Sequence, residues 1–520
     1  MSGFVQDDWR VTQRLNVNIG LRYDYQQPPY ERNCGTSNFN PTVTNPLTGL
    51  KGAMQYACKD YGNTYWKPDY TDFAPRFGFA YDLNGKGTTV IRGGYAIFYP
   101  GTFNITYFGS TAGFASTNTS YNAPGNNTNF PAFMLSQGLP SAPIQPLGSA
   151  LGPSAFLGQS VTYDEPNART PMSQQWDFSI QKQLPGSWVV DVTYSGNHGT
   201  HLVSGNYNLN QISDAQLSLG TALQNPVTNP YAGVVPGSLG AATITRQQSL
   251  LPFPYYTTIN VRNPHLGNSI YHAGLLTVHK RFTNGLTFLA SYTKAKLISD
   301  SVAAPINFGS IEQVTNNGYQ DGPYNRALER SLDPTDVPQR LAISAVYELP
   351  FGQGKAFSSN NRFVNGLISG WQAQTIITLQ EGLPVLISGA SNFLATRPNS
   401  TGQSAQLSNR TQYAWFNTQA FVNPPNYTWG NIGRALPDVR TPGFFNCDFS
   451  LIKDTKIRER ATLQIRGEAF NLDNHVNLGY PNVTFVPGAN GLNSSSTFGT
   501  ITSARPARSI QLGMKLIFLN

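Results

Sequence analysis

The end of the chain, RSIQLGMKLIFLN (508–520), places an apolar residue at every second position. These residues are Ile510, Leu512, Met514, Leu516 and Phe518, and the positions between them are mostly polar or glycine. A period of two is the spacing of a β-strand with one apolar face, whereas an amphipathic helix repeats at three and four. The stretch is therefore predicted to be a strand whose apolar face meets either a protein core or lipid.

The composition favours strands joined by polar loops. Charged residues make up only 12% of the 520 residues, and the chain carries 49 glycines, whereas an ordinary soluble domain is about 25% charged. No run approaches the roughly 18 apolar residues of a transmembrane helix. If the chain crosses a membrane, we expect it to do so as a β-barrel.

Thirteen segments are predicted to be strands. They are residues 3–10, 15–25, 73–82, 88–99, 174–184, 188–196, 271–282, 286–296, 340–350, 370–380, 444–454 and 461–472, followed by the closing strand. Short turns such as LNGKG, PGS and TNG join the members of each pair. Long Asn-, Gly-, Pro- and Ser-rich connections separate the pairs, at 26–72, 100–173, 197–269, 297–339, 381–443 and 473–507.

Strands of about 9 to 12 residues with alternating short and long connections are typical of bacterial outer-membrane barrels. We predict an all-β fold, an antiparallel transmembrane β-barrel located in the outer membrane. It is expected to be partial, with about 13 strands, short periplasmic turns and long extracellular loops. By this alternation the segment 3–10 runs in the same direction as the last strand, so the chain looks cut and its barrel is expected to be open or poorly sealed, without selective transport.

The alternation also assigns the two faces of the strands. Leu15, Val17, Ile19 and Leu21 are expected to face lipid, together with Ile510, Leu512, Met514 and Leu516. Candidates for the lumen are Asn18, Arg22, Asp24, Arg76, Asp82, Gln372, Gln374, Gln380, Gln464, Arg466 and Glu468. We interpret these polar residues as hydrating a pore or docking a plug rather than as a specific ligand site, so the ligand-binding residues stay unknown.

No motif indicates an enzyme, a cofactor or a resident metal. His198 and His201 in GNHGTH have a metal-like interval but no carboxylate or cysteine beside them. No nucleophile elbow, H-E-x-x-H or phosphate-binding glycine loop occurs. We therefore predict that the chain is not an enzyme.

The three cysteines and the net charge give less information about the function. Cys34 and Cys58 could pair in an oxidising compartment, whereas Cys447 alternates with Phe445 and Phe449 as a small apolar strand residue. The net charge of +8 comes from scattered Lys and Arg, which argues against nucleic-acid binding.

Several stretches resemble one family, the Oar-like TonB-dependent receptors. They include FVQDDWRVTQRLNVNIGLRYDY, FAPRFGFAYD, YHAGLLTVHKRFTNGLTFLASYTKAK and DPTDVPQRLAISAVYELPFGQGK. The most specific are GNIGRALPDVRTPGFFNCDFSLIKDTKIRERATLQIRGEAFNLDNHVNLGYPN and FGTITSARPARSIQLGMKLIF. The likeness runs from Gly3 to the end of the chain, interrupted by loops.

The resemblance implies a 22-stranded outer-membrane barrel preceded by a plug and a carboxypeptidase-regulatory-like β-sandwich. We expect residues 1–520 to be part of such a barrel, with the plug and the N-terminal domain absent. The implied function is that of a receptor or transporter that takes up or binds a ligand from the cell exterior.

The expected partners are outer-membrane lipid, lipopolysaccharide and the barrel-assembly machinery, which would recognise the C-terminal strand with Phe518. An unknown extracellular ligand, such as a sugar or a peptide, is expected as well, and the TonB complex is expected to bind only through the missing plug.

Two alternatives stay open at this point. A passive porin-like channel would have the same strands, and conductance of the isolated chain would distinguish it from a plugged receptor. A surface-exposed β-rich glycan-binding or adhesion protein would explain the low charge and the aromatic residues, but not the alternation of connections.

Overall fold

The computed structural model describes residues 1–100, 110–115, 121, 123, 129–138, 145–301, 324–393, 395–458 and 461–518. Its strands, in chain order, are β1 (Ser2–Arg10), β2 (Leu15–Asp24), β3 (Ser37–Thr44), β4 (Lys51–Tyr56), β5 (Phe73–Asp82), β6 (Thr89–Phe98), β7 (Val161–Tyr163), β8 (Met172–Leu184), β9 (Trp188–Leu202), β10 (Tyr207–Asn208), β11 (Pro226–Thr228), β12 (Thr243–Thr245), β13 (Ile259–Val261), β14 (Gly267–Thr283), β15 (Leu286–Ser299), β16 (Ser331–Leu332), β17 (Gln339–Glu348), β18 (Trp371–Gln380), β19 (Asn399–Ser400), β20 (Phe421–Val422), β21 (Phe444–Arg458), β22 (Ala461–Phe470) and β23 (Ser509–Phe518).

The helices of the described residues are short. They are α1 (Asp214–Leu217), α2 (Arg246–Leu250) and α3 (Arg362–Ile368). Single 3-10 turns lie at Leu135–Gln137, Gly148–Leu151, Pro185–Ser187, Gly220–Gln224, Gly237–Gly240, Arg326–Glu329 and Thr418–Ala420. No helix of this described part is long and apolar enough to span a membrane.

One large sheet contains all thirteen predicted strands. Its order is β1-β2-β5-β6-β8-β9-β14-β15-β17-β18-β21-β22-β23, with β16 paired to β15 at the side. Every pair along this order is antiparallel. The predicted fold class is thus confirmed.

Some strands run beyond their predicted ends. β9 continues to Leu202, β14 begins at Gly267 and β21 continues to Arg458. In these extensions neither face of the strand is regularly apolar, so the sequence has no period of two there from which a strand could be predicted.

Ten apolar or aromatic side chains form a continuous line across the large sheet, each paired with the next in register. This apolar register line consists of Leu15, Tyr81, Ile91, Ile180, Val192, Leu276, Tyr292, Leu341, Leu379 and Phe445. The adjacent line, on the opposite face, contains Asn16, Arg92, Ser179, Thr193, Thr293, Arg340 and Gln380 together with Ala80, Leu275 and Phe444. The sheet therefore has one apolar and one mostly polar face.

The predicted outward residues share the apolar face. The line runs from Leu15 to Phe445, and four positions further along β21, Phe449 pairs with Ala469, which pairs with Ile510. Side chains an even number of positions apart on a strand point the same way. The predicted outward residues thus lie on one face, as their alternation indicated: Leu15, Val17, Ile19, Leu21, Ile510, Leu512, Met514 and Leu516.

The apolar register line also climbs from one rim of the sheet to the other. Leu15 directly follows the short connection 11–14, whereas Phe445 follows the long connection 381–443. Strands that close round a barrel are tilted against its axis, so that a line drawn across them rises along the wall. The climb indicates this tilt.

The long connections carry small sheets of their own. β3 pairs with β4, β11 with β12 and β19 with β20, and β10-β13-β7 form a three-stranded sheet. The pair β13–β7 is parallel. We expected only antiparallel neighbours, and this expectation is wrong for the loops, because two strands from different connections meet there without a hairpin between them.

Candidate functional site: the polar face and the loop cap

The structure places all eleven predicted lumen residues on the polar face of the large sheet. On the first strands these are Asn18, Arg22, Asp24, Arg76 and Asp82, and on the later strands Gln372, Gln374, Gln380, Gln464, Arg466 and Glu468. The alternation of the sequence was sufficient to find them, because one face of each of these strands is mainly apolar.

Neighbours on the same strand satisfy one another on this face. Arg22 donates from Nε to both carboxylate oxygens of Asp24 at 2.9 Å. The Gln374 amide donates to Gln372 Oε1 at 2.7 Å. Arg466 Nη2 donates to the side-chain carbonyl of Gln464 at 2.7 Å. Such pairs hydrate and order a wall, but they leave few groups free for a specific ligand.

Two of the predicted residues have other roles. The Asp82 carboxylate accepts hydrogen bonds from the amides of Gly85 and Gly87 at 3.0 and 2.8 Å, so it stabilises the turn after β5. The guanidinium carbon of Arg76 lies 5.1 Å from the centre of the Phe98 ring. The main role of Asp82 is therefore to stabilise the turn, which is common for an Asp near an Asn-Gly pair.

The long connections pack together into hydrophobic clusters, which we call the loop cap. Its first cluster combines the β3–β4 hairpin with residues of two later connections. The members are Phe39, Met54, Tyr56, Ala155, Leu157, Val161, Val235, Phe253, Tyr255, Tyr256 and Ile259, all buried. The Phe39 ring meets the rings of Phe253 and Tyr256 edge-on, with centroids 5.2 and 5.3 Å apart.

Polar contacts hold the first cluster together at its base. Asp164 receives a bidentate ion pair from Arg262, at 2.9 Å from Nε and 2.6 Å from Nη2. The Asn38 side chain bonds both the amide and the carbonyl of Asp164 at 3.0 Å. Burial raises the pKa of the Asp164 carboxyl, although the Arg262 guanidinium acts in the opposite direction.

The second cluster belongs to the connections that flank β21–β22. Its core consists of Val385, Ile387, Ala405, Phe416, Ala420, Phe421, Ile432, Leu436, Val439, Val483, Phe485 and Phe498. The ring of Phe498 contacts Phe416, Phe421 and Phe485 at centroid distances of 5.0, 5.8 and 5.9 Å. This core has the aromatic packing of a small globular domain.

A third, smaller cluster joins the segment that contains α1 to the 381–443 connection. Ile212, Leu217 and Leu223 are buried, with Leu250, Leu251, Tyr427 and Trp429 packed against them. The Trp429 indole also donates to Asp214 Oδ1 at 2.8 Å. The separate connections thus form one continuous cap.

Arginines fasten the second cluster to the ends of the strands. Arg434 is buried and donates to the Ser301 carbonyl at 2.6 Å and to the Ser299 carbonyl at 2.9 Å. Arg440 pairs with Asp336 at 2.6 Å, and the same carboxylate accepts the Leu297 amide at 2.5 Å. The cap is therefore bonded to the last residues of β15 and to the backbone that follows the strand.

Glu329 and Arg397 form a second link within this region. Their side chains are 0% exposed and meet at 2.8 Å. The sequence did not reveal these links, since each joins two connections without periodicity. The hydrophobic clusters of the cap were indicated in the sequence by apolar stretches such as LPFPYY (251–256) in otherwise polar loops.

Two features near β5 complete the cap. Cys34 and Cys58, whose pairing the sequence left open, form a disulfide with their Cα atoms 5.6 Å apart. Asp72, which immediately precedes β5, is 1% exposed. Burial raises the pKa of its carboxyl to about 6, with Asp69 and Asp24 adding to the effect and the Thr170 hydroxyl opposing it.

The described residues contain no group of three His, Cys, Asp or Glu side chains arranged to hold a metal ion. His198 lies in β9 opposite Gln174 and Ile270, and His201 has a backbone φ of 53° near the end of that strand. The free Cys447 sits in β21 opposite Ile377.

Residues 1–511 match the family model described as "Outer membrane beta barrel domain". The chain belongs to this family. As an outer-membrane barrel it presents the apolar face of its sheet to lipid and the polar face to the lumen. In barrels of this kind the short turns are periplasmic and the long loops extracellular, so the loop cap lies on the outside of the cell.

Solved structures of other outer-membrane proteins are similar at low identity. The outer membrane transporter YddB from Escherichia coli has 10% identity and a TM-score of 0.42, with 100% of this chain and 54% of that chain covered. The siderophore receptor PiuA from Acinetobacter baumannii has 9% identity and a TM-score of 0.40, with 99% and 42% covered. The barrel chain thus spans about half the length of these proteins. The comparison with curated proteins gave no match.

Proposed function

We propose that this outer-membrane barrel is the barrel part of a TonB-dependent receptor of the Oar-like type, which captures a ligand from the cell exterior. Residues 1–520 would form part of the β-barrel domain of that receptor. Contact with the TonB complex would be made through a plug rather than through the barrel itself.

The packed loop cap carries this proposal. A passive channel needs its outer loops mainly to avoid blocking the pore, whereas a receptor needs a preorganised surface, because rigid loops lose less entropy when a ligand binds. Here three joined clusters and the buried Arg434 hold the outer loops in one arrangement.

Aromatic side chains are exposed on the described parts of the cap. Tyr413 is 76% exposed, Tyr30 55% and Phe130 61%. Rings of this kind stack on sugars and pack against peptides. The proposed ligand is accordingly an oligosaccharide or a peptide.

Whole-cell binding tests the proposal. Cells that express the full-length protein are incubated with fluorescent malto- and chito-oligosaccharides and, separately, with a labelled peptide mixture. We expect saturable binding of one of these probe classes. Arg434→Ala should abolish it by loosening the cap, whereas Arg410→Ala, which removes only a contact 5.7 Å from the Trp415 ring, should leave it unchanged.

A passive porin is the second candidate, favoured by the Gln- and Asn-lined polar face. Steady conductance of the purified protein in a planar bilayer, the same for wild type and Arg434→Ala, would support the porin and count against the receptor. Closed or flickering channels would support the receptor.

A further inference from the structure

Two exposed lysines lie on the lipid-facing side of β15. Lys294 and Lys296 are exposed and belong to the apolar face, because Tyr292 of the apolar register line precedes them at even spacing. Within the described part of the chain, neither ammonium group has a carboxylate within 4.0 Å.

Their depth follows from their positions along β15, which begins at Leu286 directly after the short turn at 284–285. Lys294 and Lys296 stand eight and ten positions further along the strand, and a tilted strand needs about 9 to 11 residues to cross the bilayer. Lys294 is the next outward-facing residue after Tyr292 in the direction of the long connections. The two ammonium groups therefore lie where the apolar wall ends and the outer headgroup region begins.

An aromatic group adjoins the lysines on the neighbouring strands. His272 pairs directly with Lys296, and Tyr194 is separated from Lys294 only by Gly274. The Tyr194 hydroxyl lies 2.8 Å from His272 Nδ1, and the two rings are stacked. Trp176 completes the group, with its ring centroid 6.1 Å from that of His272.

Glycines give this surface a hollow. A Cβ atom at Gly274 would meet nothing within 4 Å, so the space between Tyr194 and Lys294 is open. A Cβ atom at Gly196 would lie only 2.2 Å from the Trp176 indole. The absence of a side chain at Gly196 therefore allows the indole ring to lie flat across the strand. We call Lys294, Lys296, His272, Tyr194 and Trp176 around this hollow the lysine–aromatic patch.

Two lysines at the opposite, periplasmic boundary of the same face are bonded by the protein. Lys280 donates to the Gly186 carbonyl at 2.7 Å and lies 5.1 Å from the Trp188 ring. Lys453 donates to the Ser369 carbonyl at 2.7 Å and lies 5.2 Å from Trp371. Among the described residues, the charges of Lys294 and Lys296 are not taken up by such bonds.

The acidic groups near the patch are already bonded. Gln339, which pairs with Lys294, donates to Glu381 Oε1 at 2.7 Å. Asp336, on the segment next to β15, is bonded to Arg440. Because Asp336 is paired with Arg440 and Gln339 is neutral, Glu381 is the one of these three residues whose negative charge is not balanced, and the two lysines outnumber it. The patch therefore has a net positive charge and suits an anionic ligand.

We propose that the lysine–aromatic patch binds lipopolysaccharide of the outer leaflet. Lys294 and Lys296 stand about 7 Å apart along the strand backbone, and their ammonium groups would hold one sugar phosphate between them. The sugar ring would occupy the hollow at Gly274 against Tyr194 and Trp176, which suits the amphipathic rings of headgroup level. This inference rests on membership in the outer-membrane family and not on the proposed receptor function.

The test measures lipid binding to the full-length protein purified from outer membranes in detergent. Native mass spectrometry is used to titrate bisphosphorylated lipid A carrying two Kdo sugars. Replacing either lysine with Ala should weaken lipid binding about fivefold, and replacing both should weaken it about 25-fold. These factors correspond to the usual contribution of one basic residue at an anionic lipid surface. Lys294→Arg with Lys296→Arg should restore binding.

Lys182→Ala is the matched control. Lys182 is exposed on the same face, since it pairs with Val190 one step from Ile180 and Val192, but it lies at the periplasmic boundary. It should bind lipid A as wild type does. Heat-modifiable electrophoretic mobility shows that each variant is folded.

Other outcomes would overturn the proposal. These are wild-type affinity in the double variant, an equal loss in Lys182→Ala, or undiminished binding of lipid A from which both phosphates have been removed. Equal, lysine-dependent binding of phosphatidylglycerol would show a general anionic-lipid site and would also refute the assignment to lipopolysaccharide.

Discussion

Glu329 and Arg397, 68 residues apart in the chain, meet in an ion pair at 2.8 Å from which solvent is completely excluded. Glu329→Gln removes the ion-pair partner of the buried Arg397 charge, a change that typically costs about 3 to 5 kcal/mol. We expect Glu329→Gln to lower the local stability of the 381–443 loop by this amount. Hydrogen exchange of the amides of Val385 and Ile387 measures the change.

The exposed pair Lys355–Glu348 provides the control. It has the same 2.8 Å separation, but both side chains are 40% exposed. Because solvent screens such a pair, Lys355→Ala should cost less than about 1 kcal/mol. Similar losses in the two variants would contradict the role assigned to burial.

The apolar register line predicts a strong difference between adjacent residues of β14. Leu276 lies midway between Lys280 and His272 on the lipid face, whereas Thr277 faces the lumen opposite Asp191. Leu276→Arg should reduce the free energy of folding into the membrane by about 2 to 4 kcal/mol, and Thr277→Arg by much less. Urea titration of the protein in lipid vesicles checks this, and equal losses would argue against the assignment of the faces.

The sequence predicted the wall of the barrel far better than its loops. Leu15, Val17 and Ile19 alternate with polar residues because lipid and lumen impose opposite demands on the two faces of one strand. The bond from Arg434 to Ser299 joins segments more than a hundred residues apart, and no local period marks either end. The same reason left Cys34 and Cys58 undecided, since sequence spacing does not determine whether two loop positions meet.

Stability of the 26–72 loop is predicted to depend on Asp72. An unfolded Asp titrates near 3.9, whereas burial raises the pKa of Asp72 in the folded protein to about 6. Between these values the folded state binds more protons than the unfolded state, so stability falls as the pH rises from about 4 to about 6 and then levels off.

Asp72→Asn should remove this dependence and stabilise the loop above pH 6. Limited proteolysis of the loop at pH 5 and pH 7.5 provides the measurement. The ratio of the wild-type cleavage rate to that of Asp72→Asn should be higher at pH 7.5 than at pH 5. An equal ratio at both pH values would refute the role assigned to Asp72.

Loss of the Cys34–Cys58 disulfide should destabilise the first cluster of the loop cap. The bond closes a loop with a sequence separation of 24, for which the chain-entropy model gives about 3 kcal/mol. Cys34→Ser with Cys58→Ser should expose the β3–β4 hairpin to protease while the barrel keeps its heat-modifiable mobility. Cys447→Ser, which removes a free thiol, should not change the cleavage.

The climb of the register line from Leu15 to Phe445 ties strand pairing to bilayer thickness. A slip of one strand by two residues would keep every side chain on its proper face, yet it would displace that strand by about 7 Å along its axis. Hydrophobic mismatch would then penalise the slipped strand, because a boundary lysine such as Lys280 or Lys294 would be drawn into hydrocarbon. The membrane thus discriminates between registers that the hydrogen bonds of the sheet alone would accept equally.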